Sequence, residues 1–581
     1  MIFKKSLIIY AAISMVVLVN SSCRKSFLEV KPWGALSNDQ LETPAGIEKL
    51  LVAAYASLGG QFIPDHQWAF SVATEPENWL WGSVVGGEAH KGSDNGDITS
   101  MMAIARYQWA PTFSEFDDKW TWLYDAIFRC NTVLKVLPKV EGLSDAQIIN
   151  TNAQSRFLRG LYAFELKKMW NNVPWMDETV TDYKVPNNVD IWPKIVEDFQ
   201  YAFSNLPETQ TQVGRANKWA AGAYLAKAYI FQKKYTEALP LLKNIITNGK
   251  TTNGLPYDLQ PRFSGNFTFS GKNSAESVFA IQTSLGNGAG GYQANISALL
   301  NFPSGGYTGC CGFFQPSIEL ANSYRTDVNG LPLLDGSYNS ASSSVKNDMG
   351  IASSDPFTAD AGNLDPRIDR TMGRRGIPYF DWGIMAGKDW VRNQVDAGPY
   401  IPKKNVYPKN EEGVAGDNAA NETWAPTTAL NYSLIRFADV LLWAAEAEIE
   451  VGTLENARAY INRVRQRAAN PADFVQNGGS PAAHYVIGLY NTPWTDQAYA
   501  RKAVKFERKL ELAMEGHRFF DLVRWGDADA VINAYTAYEG AITNDIPGAR
   551  FTAGKNEYYP IPQVQIDMTG ADLLKQNPGY R

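Results

Sequence analysis

The stretch ERKLELAMEGHRFFDLVRWG at 507–526 carries the densest set of groups that could do chemistry. Glu507, Glu511 and Glu515 stand four residues apart, a spacing that puts three carboxylates on one face of a continuous helix. Paired carboxylates hydrolyse glycosides, but that reaction needs two carboxyls facing each other across the sugar, about 5 to 9.5 Å apart, one with a raised pKa. Arg508, Lys509, His517, Arg518 and Arg524 are interleaved here, and cations lower carboxylate pKa values. The stretch reads as a structural ion-pair network, because partly buried charges must be paired.

Other motifs fail on context. GNGAGG at 286–291 matches the dinucleotide fingerprint, yet no βαβ alternation surrounds it. Gly309-Cys310-Cys311-Gly312 stands where an acidic residue should follow, so it reads as a loop. Gly249-Lys250-Thr251 echoes a phosphate loop, but Asn244 occupies the place of its first glycine. His66, His90, His484 and His517 form no H-E-x-x-H, there is no C-x-x-C and no G-x-S-x-G, and no metal or other cofactor is expected. Asp94-Asn95-Gly96-Asp97 lacks the length and terminal Glu of a calcium loop and reads as an Asx-type turn.

Aromatic residues in Gly-rich stretches say more. Trp79 and Trp81 precede GSVVGGEAHKGSDNGD, and Tyr307, Phe313 and Phe314 bracket Cys310-Cys311, where no periodicity demands a core residue. Such rings either pin loops to a scaffold or stack on the C–H faces of sugars. The candidate ligand site lies where the 79–97 loop meets the 305–314 loop. There Trp79, Trp81, Tyr307 and Phe313 would stack on the ligand while Asp94 and Asn95 read hydroxyls. The Tyr379 to Trp390 stretch is the next candidate. Cys310 and Cys311 either close a ring, which would stiffen the loop before binding, or remain two thiols.

The elements that must position these residues are mostly helical. Apolar spacing predicts helices from Ile47 to Leu58, Phe116 to Leu137, Ala153 to Trp170 and Trp192 to Leu206. Between Asn217 and Asn248 small alanines alternate with large apolar residues around a break at Gln232 to Lys234; the pattern recurs from Leu434 to Ala468 with Gly452 at the turn. Both look like tetratricopeptide units. The fold expected is mainly α: a degenerate tetratricopeptide-like scaffold with a loop-rich lobe of short strands, such as SVFAIQT at 277–283, inserted between helical blocks.

Lys4, Lys5 and the apolar run from Leu7 to Val19 read as an export signal ending at Cys23, placed for lipidation. The divisions expected are signal 1–22, helical region 23–250, insertion 251–428 and C-terminal region 429–581 with a wrapping tail. With 54 basic and 60 acidic residues there is no basic stripe for nucleic acid. Four cysteines give no disulfide framework, and packing must hold the fold.

Four stretches resemble the SusD/RagB family of outer-membrane lipoproteins: RFLRGLYAFELKKMWNNVPW at 156–175, LIRFADVLLWAAEAEIE at 434–450, ERKLELAMEGHRFFDLVRWG at 507–526, and YYPIP with QNPGY at 558–562 and 576–580. The resemblance implies a non-enzymatic glycan-binding protein, lipid-anchored at the outer membrane and facing the exterior. It also implies a TonB-dependent SusC-like transporter as partner. The rival expectations are an anchored glycoside hydrolase and a tetratricopeptide-type protein-binding scaffold.

Overall fold

The computed structural model describes residues 38–60, 73–286, 293–306, 309–404, 406–417 and 426–580. Cys23 with the export signal, His66, Tyr307 and most of GNGAGG lie outside the described residues.

Helices dominate, and their starts are written in the sequence. Helix α1 (Pro44–Ala56) has proline in its first turn and Thr43 as its cap, whose hydroxyl accepts from the Gly46 N–H. Helices α2 (Ser114–Val136) and α3 (Asp145–Trp170) follow, the latter opened by a reciprocal Ser144/Gln147 capping box. Next come α4 (Trp192–Asn205), α5 (Lys218–Phe231, capped by Asn217) and α6 (Tyr235–Asn248). After the insertion come α7 (Phe437–Val451), α8 (Leu454–Ala468), α9 (Gln497–Glu511), α10 (Arg518–Trp525) and α11 (Ala528–Glu539). Both tetratricopeptide-like units therefore form as helix pairs, α5 with α6 and α7 with α8.

Each helix from α2 to α6 packs on the next, and α6 packs directly on α7, so the array continues across the insertion. Small-against-large contacts set the spacing: a side-chain carbon at Gly222 would come within 2.9 Å of the Phe203 ring. At the centre Phe157 of α3 meets Tyr224 of α5 at 5.4 Å and Phe279 at 5.0 Å between ring centroids, edge to face. Such pairs contribute about 0.5 to 1.5 kcal/mol each beyond the area they bury.

Short strand pairs organise the rest, among them those made by β1 (Ala89–Gly92), β2 (Ser277–Ile281), β3 (Phe313–Pro316) and β4 (Tyr432–Arg436). Strand β2 pairs antiparallel with β4, Ile281 opposite Tyr432, and so joins the two ends of the insertion. Within the insertion a separate apolar cluster forms from Phe302, Tyr379, Met385, Ile401 and Tyr407. The tail lies across the end of α3: Tyr559 N–H donates to the Met169 carbonyl at 2.9 Å, and Asn577 Nδ2 donates to the carbonyls of Trp170 and Tyr559, both at 2.8 Å. Its prolines exclude all but a short helix at Gln563–Thr569. Among the described residues no helix is long and apolar enough to cross a membrane.

One expectation needs correction. Glu507, Glu511 and Glu515 do not share a helix, because α9 ends at Glu511 and the chain turns through Met514 (φ 64°) and Gly516 (φ 71°) before α10. A side-chain carbon at Gly516 would fall 1.8 Å from the Glu77 carbonyl oxygen, so a close backbone crossing holds the turn there.

Candidate ligand site

The carboxylates of 507–515 are spent on structure. Glu511 is fully buried between Arg367, Arg436 and Arg467, and Glu507 bridges Arg367 at 2.7 Å and Arg465 at 2.8 Å. Glu515 takes Arg436 and Lys404. Burial alone would raise the Glu511 carboxyl, but Arg467, Arg436 and Arg367 outweigh it and hold it at about 2. Glu515 is likewise lowered, by Arg436 and Lys404 against the effect of burial. A general acid needs the opposite shift. Glu88 has it, pushed by burial to about 7, but its side chain is enclosed and accepts from Ser83 and the Met514 N–H.

The two loops singled out in the sequence do meet. Strands β1 and β3 pair antiparallel, with Gly92 opposite Phe313 and the Ser93 N–H donating to the Gly312 carbonyl at 2.6 Å. That ribbon sets the Asp94 to Asp97 turn beside the Cys310-Cys311 loop. Asp94 Oδ1 accepts the N–H groups of Gly96 (2.9 Å) and Asp97 (3.2 Å), the expected Asx turn. From beneath, Lys91 Nζ donates to the carbonyls of Asp94 (2.8 Å) and Asp97 (2.6 Å). Burial pushes the Lys91 ammonium down to about 8, with Asp97 and Asp94 pulling the other way.

A third segment completes the rim. Arg392 reaches both Asp94 and Asp97 at 3.3 Å, and the Trp390 ring lies against Gly306, whose added carbon would touch it at 2.8 Å. Arg392 stays 42% exposed and Asp94 39%. Asp396, whose carboxyl is raised by burial, accepts the Asn95 N–H (3.2 Å) and Asn393 Nδ2 (2.6 Å). Asn95 Oδ1 is buried and has no hydrogen-bond partner among the described residues. Cys310 and Cys311 are joined to each other by a disulfide. A half-exposed indole, a guanidinium, carboxylates and an amide can together hold a polyhydroxylated ring; nothing in the set is a nucleophile with an activating base.

The stacking roles expected of Trp79, Trp81 and Phe313 require correction. Their exposures are 1%, 0% and 4%. Trp81 donates Nε1–H to the Ala73 carbonyl (2.8 Å) and meets Tyr559 edge to face at 5.1 Å, while Trp79 packs on Phe313 and Phe314 at 6.4 and 5.4 Å. The glycines around them serve tight packing and not ligand access: a carbon on Gly82 would lie 1.8 Å from the Gly516 carbonyl. Asp94 and Asn95 do sit at the rim, and Tyr307 lies outside the described residues. Trp390 stood in the second-choice stretch. Arg392 and Asp97 had no signal beyond adjacency to Trp390 and to the Asp94 turn.

A cleft of about 350 Å³ opens between α1, the 212–215 loop and the end of β2, with Tyr55, Arg215, Gln282 and Ile296 among its walls. Arg215 is already bonded to Gln212 and Glu48, and Gln282 to Asn273.

Comparison with known proteins covers nearly the whole chain. The model described as SusD family matches residues 275–580, and one described as starch-binding associating with outer membrane matches 26–230. SusD-like protein P2 of Formosa agariphila is 25% identical, over 98% of this chain and 99% of its own length. The starch-binding protein SusD of Bacteroides thetaiotaomicron is 21% identical, over 84% and 82%. Among solved structures, a laminarin binding SusD-like protein superposes with a TM-score of 0.64 at 23% identity, covering 93% of this chain and all of that one. Surface glycan-binding protein A from Bacteroides thetaiotaomicron, in complex with laminarihexaose, gives 0.63 at 21% identity, covering 92% and 99%. A helical array that closes over its own insertion, a tail stitched to α3 and two family models that between them span both halves agree: the chain belongs to the SusD family.

Proposed function

We propose that this chain is an outer-membrane lipoprotein, anchored through Cys23 and facing the exterior, which captures oligo- or polysaccharide and passes it to a TonB-dependent SusC-like transporter. It catalyses nothing. The observation that carries the reading is the rim where Trp390, Arg392, Asp94, Asn95 and the Cys310–Cys311 disulfide converge, in a family whose members include proteins named for binding starch and laminarin. The helical scaffold would carry most of the transporter contact, since packed helices offer the broad rigid surface a stable complex needs.

Native affinity gels cast with single polysaccharides test capture, and analysis of the same mixtures for released oligosaccharide tests hydrolysis. Retardation without shortening is expected; released product would favour an anchored hydrolase, and retention of peptides alone a protein-binding scaffold. For the partner, co-purification of a β-barrel protein should fail after charge reversals across the helical blocks and survive changes confined to the insertion.

A further inference from the structure

We infer that the Cys310–Cys311 disulfide is itself a ligand-contacting surface, an apolar platform of two sulfurs and two methylenes that packs on the C–H face of a sugar ring. This deepens the glycan-site reading of the rim and rests on it.

The loop's own packing is the first argument. Phe313 and Phe314, the large apolar side chains next to the cysteines, turn inward onto Trp79. The half-exposed disulfide is left as the apolar group facing outward between Gly309 and Gly312. A side-chain carbon added at Gly309 would meet none of the described residues within 4 Å. The opposite side is backed: Leu299, 1% exposed, packs against Cys310, Cys311 and Ile296 in one apolar cluster. A platform supported from behind and open in front cannot retreat when a ligand presses on it.

Its neighbours supply the polar half of a sugar site. A carbon at Gly312 would lie 3.2 Å from the Cβ atoms of Arg392 and Ser304, which roots the Arg392 side chain beside the disulfide loop, and its guanidinium holds Asp94 and Asp97. Sulfur is polarisable and a weak acceptor, so it gains dispersion contacts with C–H groups without competing for the ligand's hydroxyls. The ring is closed through a single peptide bond and loses little freedom on binding.

A staple role explains the bond poorly. Disulfides stabilise mainly by removing loop-closure entropy from the unfolded chain, and a bond between adjacent residues closes almost no loop.

The test uses the purified full chain in native gels containing laminarin, starch, xylan or yeast mannan, to find a polysaccharide that retards it. In that gel the Cys310→Ser/Cys311→Ser double variant should bind about tenfold more weakly, while its melting midpoint moves by less than about 3 °C. The same polysaccharide at saturation should slow reduction of the bond by a water-soluble phosphine, read by alkylation and peptide mass spectrometry. In that reaction the phosphine gives two electrons to the S–S bond, one water gives its two protons to the two thiols, and its oxygen ends on the phosphine oxide. Wild-type retardation of the double variant, with an unprotected bond, overturns the platform. If Trp390→Ala then loses retardation, the rim remains a glycan site and only the disulfide's role is wrong. If no gel retards the wild type, or Trp390→Ala and the double variant both bind like it, the rim reading fails and the platform with it.

Discussion

The Arg436 guanidinium grips the Glu515 carboxylate on both oxygens, Nε at 2.8 Å from Oε2 and Nη2 at 2.9 Å from Oε1, with both side chains almost fully enclosed. Neither group is reachable by a ligand, and each is the other's main compensation for leaving water. Glu515→Gln removes the charge and leaves Arg436 and Lys404 short of a partner, which should cost about 3 to 5 kcal/mol. Chemical denaturation checks this. A hydrolytic activity that disappears in the variant with stability unchanged would instead make Glu515 catalytic.

His90 sits fully buried between Asp545 (2.9 Å) and Glu539 (3.1 Å). Burial would lower its pKa, but Asp545 and Glu539 overcome that and raise it to about 10. The folded state then holds a proton that the unfolded chain releases near 6.5, so the stabilisation is complete below about pH 6.5 and is lost as pH rises through 10. Melting curves of wild type and His90→Gln should therefore be furthest apart near pH 6 and converge toward pH 10. A gap that widened with pH would mean His90 is neutral in the fold.

Trp81 and Trp390 should behave oppositely. Trp81→Ala empties a fully enclosed site and should destabilise by about 3 to 5 kcal/mol, with glycan retention by the molecules that remain folded unchanged. Trp390→Ala should weaken retention about tenfold with little change in melting. Affinity gels and calorimetry on both variants decide this; the reverse pattern would return the ligand to the 79–81 segment.

Cys23→Ala should leave the protein soluble or uncleaved, because attachment would depend on acyl chains added to that thiol. Membrane-fraction recovery equal to wild type, with the signal removed normally, would rule out the anchor.

The helical scaffold was legible because its signals are local. Alanines facing Tyr224 and Leu225, or flanking Trp443, repeat at helical spacing, and Thr43, Ser144, Asn217 and Thr453 mark helix starts as caps. The 507–526 network was legible for a similar reason, since interleaved opposite charges announce pairing, although the helix break after Glu511 was not: four-residue spacing runs through it. The stacking aromatics were misread because burial is a long-range property. Trp81 is enclosed by Tyr559, whose hydroxyl donates to the Trp81 carbonyl across 478 residues of sequence, and no local pattern at 79–86 reports that. Arg392 likewise reaches Asp94 across 298 residues. The Asp94 to Asp97 turn was legible because a Gly-containing stretch rich in Asp and Asn is a local signal.

The direct seating of α6 on α7, with the tail laid over the end of α3, bears on how the molecule is made. Synthesis runs from the N-terminus, so the 235–248 helix waits for a partner at 437–451, and Trp170 waits for Pro560, which accepts its indole N–H at 2.9 Å. The early helical hairpins can form while the chain is still short, but their outward apolar faces stay bare until almost the last residue has emerged. Completion thus depends on the C-terminal segments, and folding of this body should be slow, dependent on chaperones in the interval, and intolerant of loss of QNPGY.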